Sequence, residues 1–152
     1  MKAVFINGKE DIELKEIEEI STQNNPEKVL IEVKYVGICG SDLHYLAEGA
    51  SGPAVIREPL IPGRELSGVL LESMDYKGTT LSKGAKVTVH PATYGDELAH
   101  APHNPEIWPN GSYLGSARYL PHKQGGMVEK MVVDKAQILP LPDRVSLKMG
   151  AL

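Results

Sequence analysis

Apolar and charged positions alternate along much of this chain. "DIELKEIEEI" (Asp11–Ile20) sets Ile12, Leu14 and Ile17 against charged neighbours, as on a half-buried strand. With "KAVFI" before it and the turn "NGKED" between, it predicts two short strands. "KVLIEVKYVGIC" (Lys28–Cys39) alternates over a longer span rich in Val and Ile and predicts a strand. "SGVLLESM" and "AKVTVHP" predict further strands, and "GGMVEKMVVDKAQILPLP" a strand, a turn and another strand closed by prolines. One stretch breaks the two-residue period: "SDLHYLAEG" predicts a short helix, with Ser41 or Asp42 as N-cap and Gly49 as its stop. Many short strands punctuated by 15 Gly and 11 Pro predict a mainly β protein with a few short helices, built as a small, partly open barrel.

Two regions carry no period. "AEGASGPAVIREPLIPG" is a loop with three prolines, and "PATYGDELAHAPHNPEIWPNGSYLG" is a longer irregular segment with four. Loops beyond about 12–15 residues are usually functional or disordered. "DRVSLKMGAL" predicts a turn, with Ser146 capping a helix on which the chain stops at apolar residues. The reading is a domain over residues 1–145, then the start of a linker helix, 146–152, in the front part of a longer protein.

Composition narrows the class. A chain of 152 residues suits one domain, and its 41% hydrophobic and 24% charged residues are an ordinary balance for a globular one. Net charge is −4, no Lys/Arg cluster exists, and there is one Phe and one Trp, which argues against a nucleic-acid partner. No run of about 18 apolar residues predicts a membrane span, and the N-terminus lacks the apolar centre of a signal peptide. A single cysteine forms no intramolecular disulfide. The expectation is a cytoplasmic protein with a small-molecule partner.

That cysteine lies in "GICGSDLHYL" (Gly37–Leu46), at the end of a predicted strand. Cysteine thiolate is a zinc ligand, and a catalytic zinc site keeps one position open. Ser41 and His44 follow on the next turn, where a hydroxyl and an imidazole could pass a proton to bulk water. The other reading is a small buried hydrophobe, the commoner fate of a lone Cys.

"VGICGSDLHYL" resembles the catalytic-zinc motif of the medium-chain, zinc-dependent alcohol and polyol dehydrogenases. "PLIPGRELSGVLLE" resembles their next motif, "KGAKVTVHP" the strand after it, and "GGMVEKMVV…ILPLPDRVSLKMGAL" the approach to their cofactor domain. The order is kept along nearly the whole chain. "YLGSARYLPHKQGGMVEKMVV" is most similar to the L-idonate and sorbitol dehydrogenase branch. The resemblance implies a GroES-like partly open barrel, truncated here before a Rossmann domain that binds NAD or NADP. It implies hydride transfer between that cofactor and a secondary alcohol of a polyol or sugar acid, with zinc as Lewis acid, and a homo-oligomeric full-length protein. By position Cys39 would be the first zinc ligand and Glu65 a further or alternate one. Ser41 would touch the substrate oxygen, His44 would continue a proton relay, and Tyr45 and Tyr119 would line the substrate pocket. No G-x-G-x-x-G follows a strand and opens a helix, so no cofactor-binding residue is expected in this chain.

The sequence departs from the family in two places. Arg64 stands where the family has its zinc-ligand histidine, and a guanidinium has no lone pair to give. Either Arg64 takes the cation's place and pairs with Glu65 or the Cys39 thiolate, or it swings to solvent and zinc is held weakly. In the long loop, the register of the family's four structural-zinc cysteines falls on Gly95, Leu98, Ala101 and Pro109, which excludes that site. Asp96, Glu97, His100 and His103 offer a makeshift metal site or a solvated loop, and without zinc the loop is expected to be more mobile. His90 reads as a packed or turn-bonding residue. A non-catalytic, dehydrogenase-like binding protein is the rival reading. A zinc-independent quinone oxidoreductase is a weaker one, because that branch has no use for the Cys39 motif.

Overall fold

A computed structural model describes residues 1–152. Its centre is a five-stranded antiparallel sheet. The strands are β1 (Lys2–Gly8), β2 (Asp11–Glu16), β3 (Lys28–Val36), β4 (Ala50–Ser51), β5 (Ala54–Val55), β6 (Leu66–Leu70), β7 (Met74–Tyr76), β8 (Thr79–Leu81), β9 (Lys86–Val89), β10 (Ala92–Thr93), β11 (Ser112–Tyr113), β12 (Lys130–Asp134) and β13 (Ile138–Pro140). The central order is β12-β3-β6-β9-β13, and the remaining strands form four two-stranded ribbons. The one α-helix, α1, spans Gly40–Glu48, and single 3₁₀ turns cover Pro105–Ile107, Lys135–Gln137 and Met149–Ala151. This is the mainly β, partly open barrel the residue pattern predicts. No helix is long and apolar enough to cross a membrane.

The alternation in β3 has a physical outcome. Val29 and Ile31 point into the main core and meet Leu66, Leu70, Val87, Val89, Met131, Val133 and Ile138 from the neighbouring strands. The register Met131↔Ile31↔Leu70 carries this apolar row across three strands. A smaller core of Ile6, Tyr45, Ala54, Leu60 and Ala117 joins β1, α1 and the proline loop. There Ile6 and Leu60 exchange backbone hydrogen bonds of 2.9 and 3.0 Å. Burying a Leu or Ile side chain contributes about 1.5–3 kcal/mol, so these two clusters set the shape on which the site is built.

The alternation in β2 ends differently. Ile12 and Leu14 are 52% and 65% exposed, so this is not the half-buried strand expected. β2 pairs only with β1 at the rim, and no further element covers its apolar side. β3 also ends earlier than predicted, at Val36. There Gly37 N–H turns to Glu65 O at 2.6 Å and takes Cys39 out of the strand. At the C-terminus Met149 N–H donates to Ser146 Oγ at 3.2 Å, and Ser67 Oγ donates to Leu147 O. The last turn is thereby packed against β6.

Candidate active site

α1 begins one step after the cysteine. Cys39 is the N-cap in an extended conformation, rather than Ser41 or Asp42. Asp42, buried at 4% exposure, sits in the first turn and holds two backbone segments at once. Its Oδ2 accepts the Cys39 N–H and its Oδ1 accepts the Gly63 N–H, both at 3.0 Å. A carboxylate there satisfies an orphan donor of the helix end and opposes the positive end of the helix dipole. The side chain thus fixes the cysteine segment against the segment carrying Arg64 and Glu65. The helix ends at Gly49 in the left-handed conformation, as expected.

Cys39 Sγ lies 2.8 Å from Ser41 Oγ. The donor atoms of Cys39, Asp42 and Glu65 all lie within 4.8 Å of one another, forming the one cluster of three metal-ligating side chains in the molecule. Glu65 Oε2 is buried without a hydrogen-bond partner. An orphaned carboxylate oxygen beside a thiol fits a divalent cation, and thiolate and carboxylate are both zinc donors. The fit is incomplete: both Asp42 oxygens already accept backbone N–H groups, so Cys39, which meets only the Ser41 hydroxyl, and Glu65 are the two ligands free of backbone bonds. Asp42 as a third donor was missed in the sequence. It reads there as a helix cap, and only the fold brings it to Glu65.

Arg64 follows neither expected course. It makes no ion pair with Glu65 and no hydrogen bond to Cys39, nor does it swing free to solvent. It is half-buried and donates through a terminal nitrogen to Gly115 O at 3.1 Å. The reason is a backbone crossing. Gly63 and Gly115 both have positive φ, 87° and 63°, and a Cβ on Gly115 would come within 3.0 Å of Gly63 N. This close approach puts the Gly115 carbonyl beside Arg64 and draws the guanidinium to it.

Arg64 and Ser41 line a cleft of about 660 Å³, whose walls also include Tyr45, His90, Arg118 and Tyr119. Cys39 and Glu65 do not line it, and the Ser41 hydroxyl connects it to the thiol. Tyr119 is 41% exposed there. Tyr45 lines the cleft as well, with little of its surface open to it. It is 2% exposed, its ring belongs to the smaller core and its hydroxyl accepts the Ala117 N–H at 3.0 Å, so it braces the wall rather than projecting from it. His44 is on the exposed face of α1, with Nδ1 3.2 Å from Glu48 Oε1, and does not line the cleft. His90 stays local, with Nδ1 3.4 Å from Ala92 O and its ring 5.9 Å from that of Tyr94. His122 is buried and fully engaged, taking the Arg57 N–H on Nε2 at 2.9 Å and meeting Tyr119 O through Nδ1 at 2.8 Å.

One wall of the cleft is a lobe, residues 94–111, closed at its base by the β10–β11 pair. Asp96, Glu97, His100 and His103 do not converge within it, so the makeshift metal site is not formed. Asp96 Oδ2 instead accepts from Asn110 Nδ2 at 2.7 Å. Asp96 N–H donates to Pro109 O at 2.9 Å, and the Trp108 indole N–H donates to Ala101 O at 2.9 Å. A Cβ on Gly95 would fall 1.6 Å from Pro109 O. Two of the positions where the family's cysteines would stand are therefore in direct backbone contact.

Comparison with known proteins bears on this geometry. Residues 25–143 match the family model described as the alcohol dehydrogenase GroES-like domain. The chain is 31% identical over 151 residues to L-idonate 5-dehydrogenase (NAD(P)(+)) of Escherichia coli, covering 99% of this chain and 42% of that relative. It is 33% identical over 159 residues to a putative D-xylulose reductase of Rhizobium meliloti, with 99% and 42% covered. Among solved structures, L-idonate 5-dehydrogenase from E. coli superposes with a TM-score of 0.83 at 28% identity, covering 95% of this chain and 40% of that one. The chain spans about two fifths of the length of these relatives.

Proposed function

This chain belongs to the alcohol dehydrogenase GroES-like domain family, and from that premise we propose that it is the substrate side of an NAD(P)-dependent oxidoreductase that interconverts a secondary alcohol of a polyol or sugar acid with its ketone. The observation that carries this reading is the Cys39–Ser41 pair, 2.8 Å apart, at the edge of the cleft and tied by Asp42 to the Arg64–Glu65 segment. The curated relatives named above act, by their names, on L-idonate and D-xylulose.

Each residue has a role in this proposal. Ser41 Oγ faces the substrate hydroxyl and accepts or returns its proton. His44 lies outside the cleft beside Glu48, and in this proposal it would take that proton on to solvent without a direct contact to Ser41. Tyr119 contacts the substrate at the cleft wall, and Tyr45 keeps that wall rigid through Ala117. Cys39 and Glu65, with Asp42 behind them, would hold zinc, which supplies a Lewis acid for the alcohol oxygen when bound. The hydride acceptor, NAD or NADP, would be held by another part of the protein, so the 152-residue chain alone is expected to be inactive. With only two ligands free of backbone bonds, the chain is expected to take up well under one zinc per molecule. A metal analysis near one zinc per chain would overturn that expectation.

A second reading rests on Arg64. A guanidinium cannot replace an imidazole ligand, and this favours a dehydrogenase-like protein that binds without chemistry. The deciding assay uses the full-length protein with polyols, sugar acids and NAD⁺ or NADP⁺, with and without Arg64→His. Turnover in the unmodified protein supports the enzyme. Turnover only after Arg64→His supports the non-catalytic reading, and turnover in neither removes the dehydrogenase reading.

A further inference from the structure

Arg64 and Arg118 line the same cleft, and neither guanidinium meets a carboxylate. Of the five N–H donors that an arginine carries, Arg64 gives one to Gly115 O, and its Nε–H is buried with no acceptor. Arg118 gives its Nε–H to the Tyr119 hydroxyl at 3.2 Å and stands over the Tyr119 ring, 5.6 Å from its centroid. Glu106 is the one carboxylate on the cleft wall, and it accepts Asn104 Nδ2 at 3.1 Å. Arg118 is exposed and solvated, so the half-buried Arg64 is the cation that lacks a counter-charge, in a chain whose net charge is −4.

A half-buried cation without a partner is unfavourable, and an anion entering the cleft removes that penalty. The planar fork of a guanidinium matches the two oxygens of a carboxylate with two parallel, charge-assisted hydrogen bonds. Around it Ser41, Ser112 and Ser116 offer hydroxyls of the kind that satisfy a polyol chain. We propose that the cleft takes a ligand bearing a carboxylate, with Arg64 as its counter-ion and Arg118 as a second contact. A sugar acid is then preferred over the neutral polyol of the same length. The polyol portion of this ligand rests on the function proposed above; its charge rests on Arg64 and Arg118 alone. On this assignment the arginine at position 64 gives up a metal donor and gains a substrate anchor.

The test is calorimetric titration of the 152-residue chain at low salt with D-gluconate, sorbitol and inorganic phosphate, for the unmodified protein, Arg64→Gln and Arg64→Lys. Gluconate is expected to bind at least about tenfold more tightly than sorbitol, a difference of about 1.4 kcal/mol. Arg64→Gln should erase that preference, and Arg64→Lys should keep part of it, since a point charge lacks the fork. The gluconate-to-sorbitol ratio is the decisive readout. Loss of the Gly115 hydrogen bond alone would weaken both ligands together. Equal affinity for the two in the unmodified protein overturns the charge assignment and leaves the polyol reading standing, as does a preference that survives Arg64→Gln. Tight phosphate binding with neither gluconate nor sorbitol bound overturns the carboxylate ligand and the polyol reading together.

Discussion

The corner around Cys39 and the lobe of residues 94–111 both stand where the family resemblance puts zinc, and they differ in what replaces it. In the corner the thiol and two carboxylates persist, and a side chain, Asp42, joins the segments through two backbone N–H groups. In the lobe every metal-binding thiol is gone, and the backbone has closed on itself, Gly95 against Pro109. The corner therefore keeps a thiol and two carboxylates side by side. The lobe is held instead by main-chain contacts and the Trp108 indole.

The difference can be broken most forcefully at Asp42. Asp42→Ala orphans the Cys39 and Gly63 donors together and is expected to lower stability by about 3 kcal/mol. Urea unfolding measures it, and a loss under about 1 kcal/mol would mean the corner is not held as described. Next is Gly95→Ala, whose Cβ must push Pro109 O aside. About 2 kcal/mol is expected, with faster amide exchange confined to residues 96–109 and none around Cys39. The same clash predicts that cysteines placed together at Gly95, Leu98, Ala101 and Pro109 fail to take up stoichiometric zinc; a bound zinc would show that the lobe still opens to family geometry. Trp108→Phe keeps a ring near Tyr94 but loses the hydrogen bond to Ala101, for about 1 kcal/mol, again within the lobe.

The smallest effect is pH-dependent. Hydrogen bonds from its own backbone N–H and from Asn104 hold the Glu106 carboxyl below the ordinary carboxylate range. A lowered folded-state value means that the contribution is present above the ordinary value and is lost as pH falls through the lowered one. Acidification should therefore loosen the lobe slightly. NMR titration should find the Glu106 midpoint higher in Asn104→Ala; an unmoved midpoint would count against this.

Much of the fold was legible because its signals are local. The alternation of Lys28–Val36 and the left-handed stop at Gly49 depend on residues close in sequence. β2 shows the limit. Its alternation is real, but what covers Ile12 and Leu14 is a tertiary matter that no period encodes. In the site, the Cys39 motif and the anomaly at Arg64 were readable, whereas the destination of Arg64 was not. It depends on Gly115, 51 residues away, passing against Gly63. Asp42 was visible only as a helix cap because its second bond, to Gly63, spans 21 residues. Tyr45 stands in the cleft wall, as its position suggested, but its bond to the Ala117 N–H, 72 residues away, was not readable.

Asp42 grips main chain rather than side chain at both ends. What stands at position 64 is therefore decoupled from the path of the backbone that carries it. Over evolutionary time such a corner can exchange a metal ligand for an arginine in one step without first losing its shape. The same property makes position 64 a natural entry point for engineering, where new chemistry can be tried on a frame that does not depend on the old.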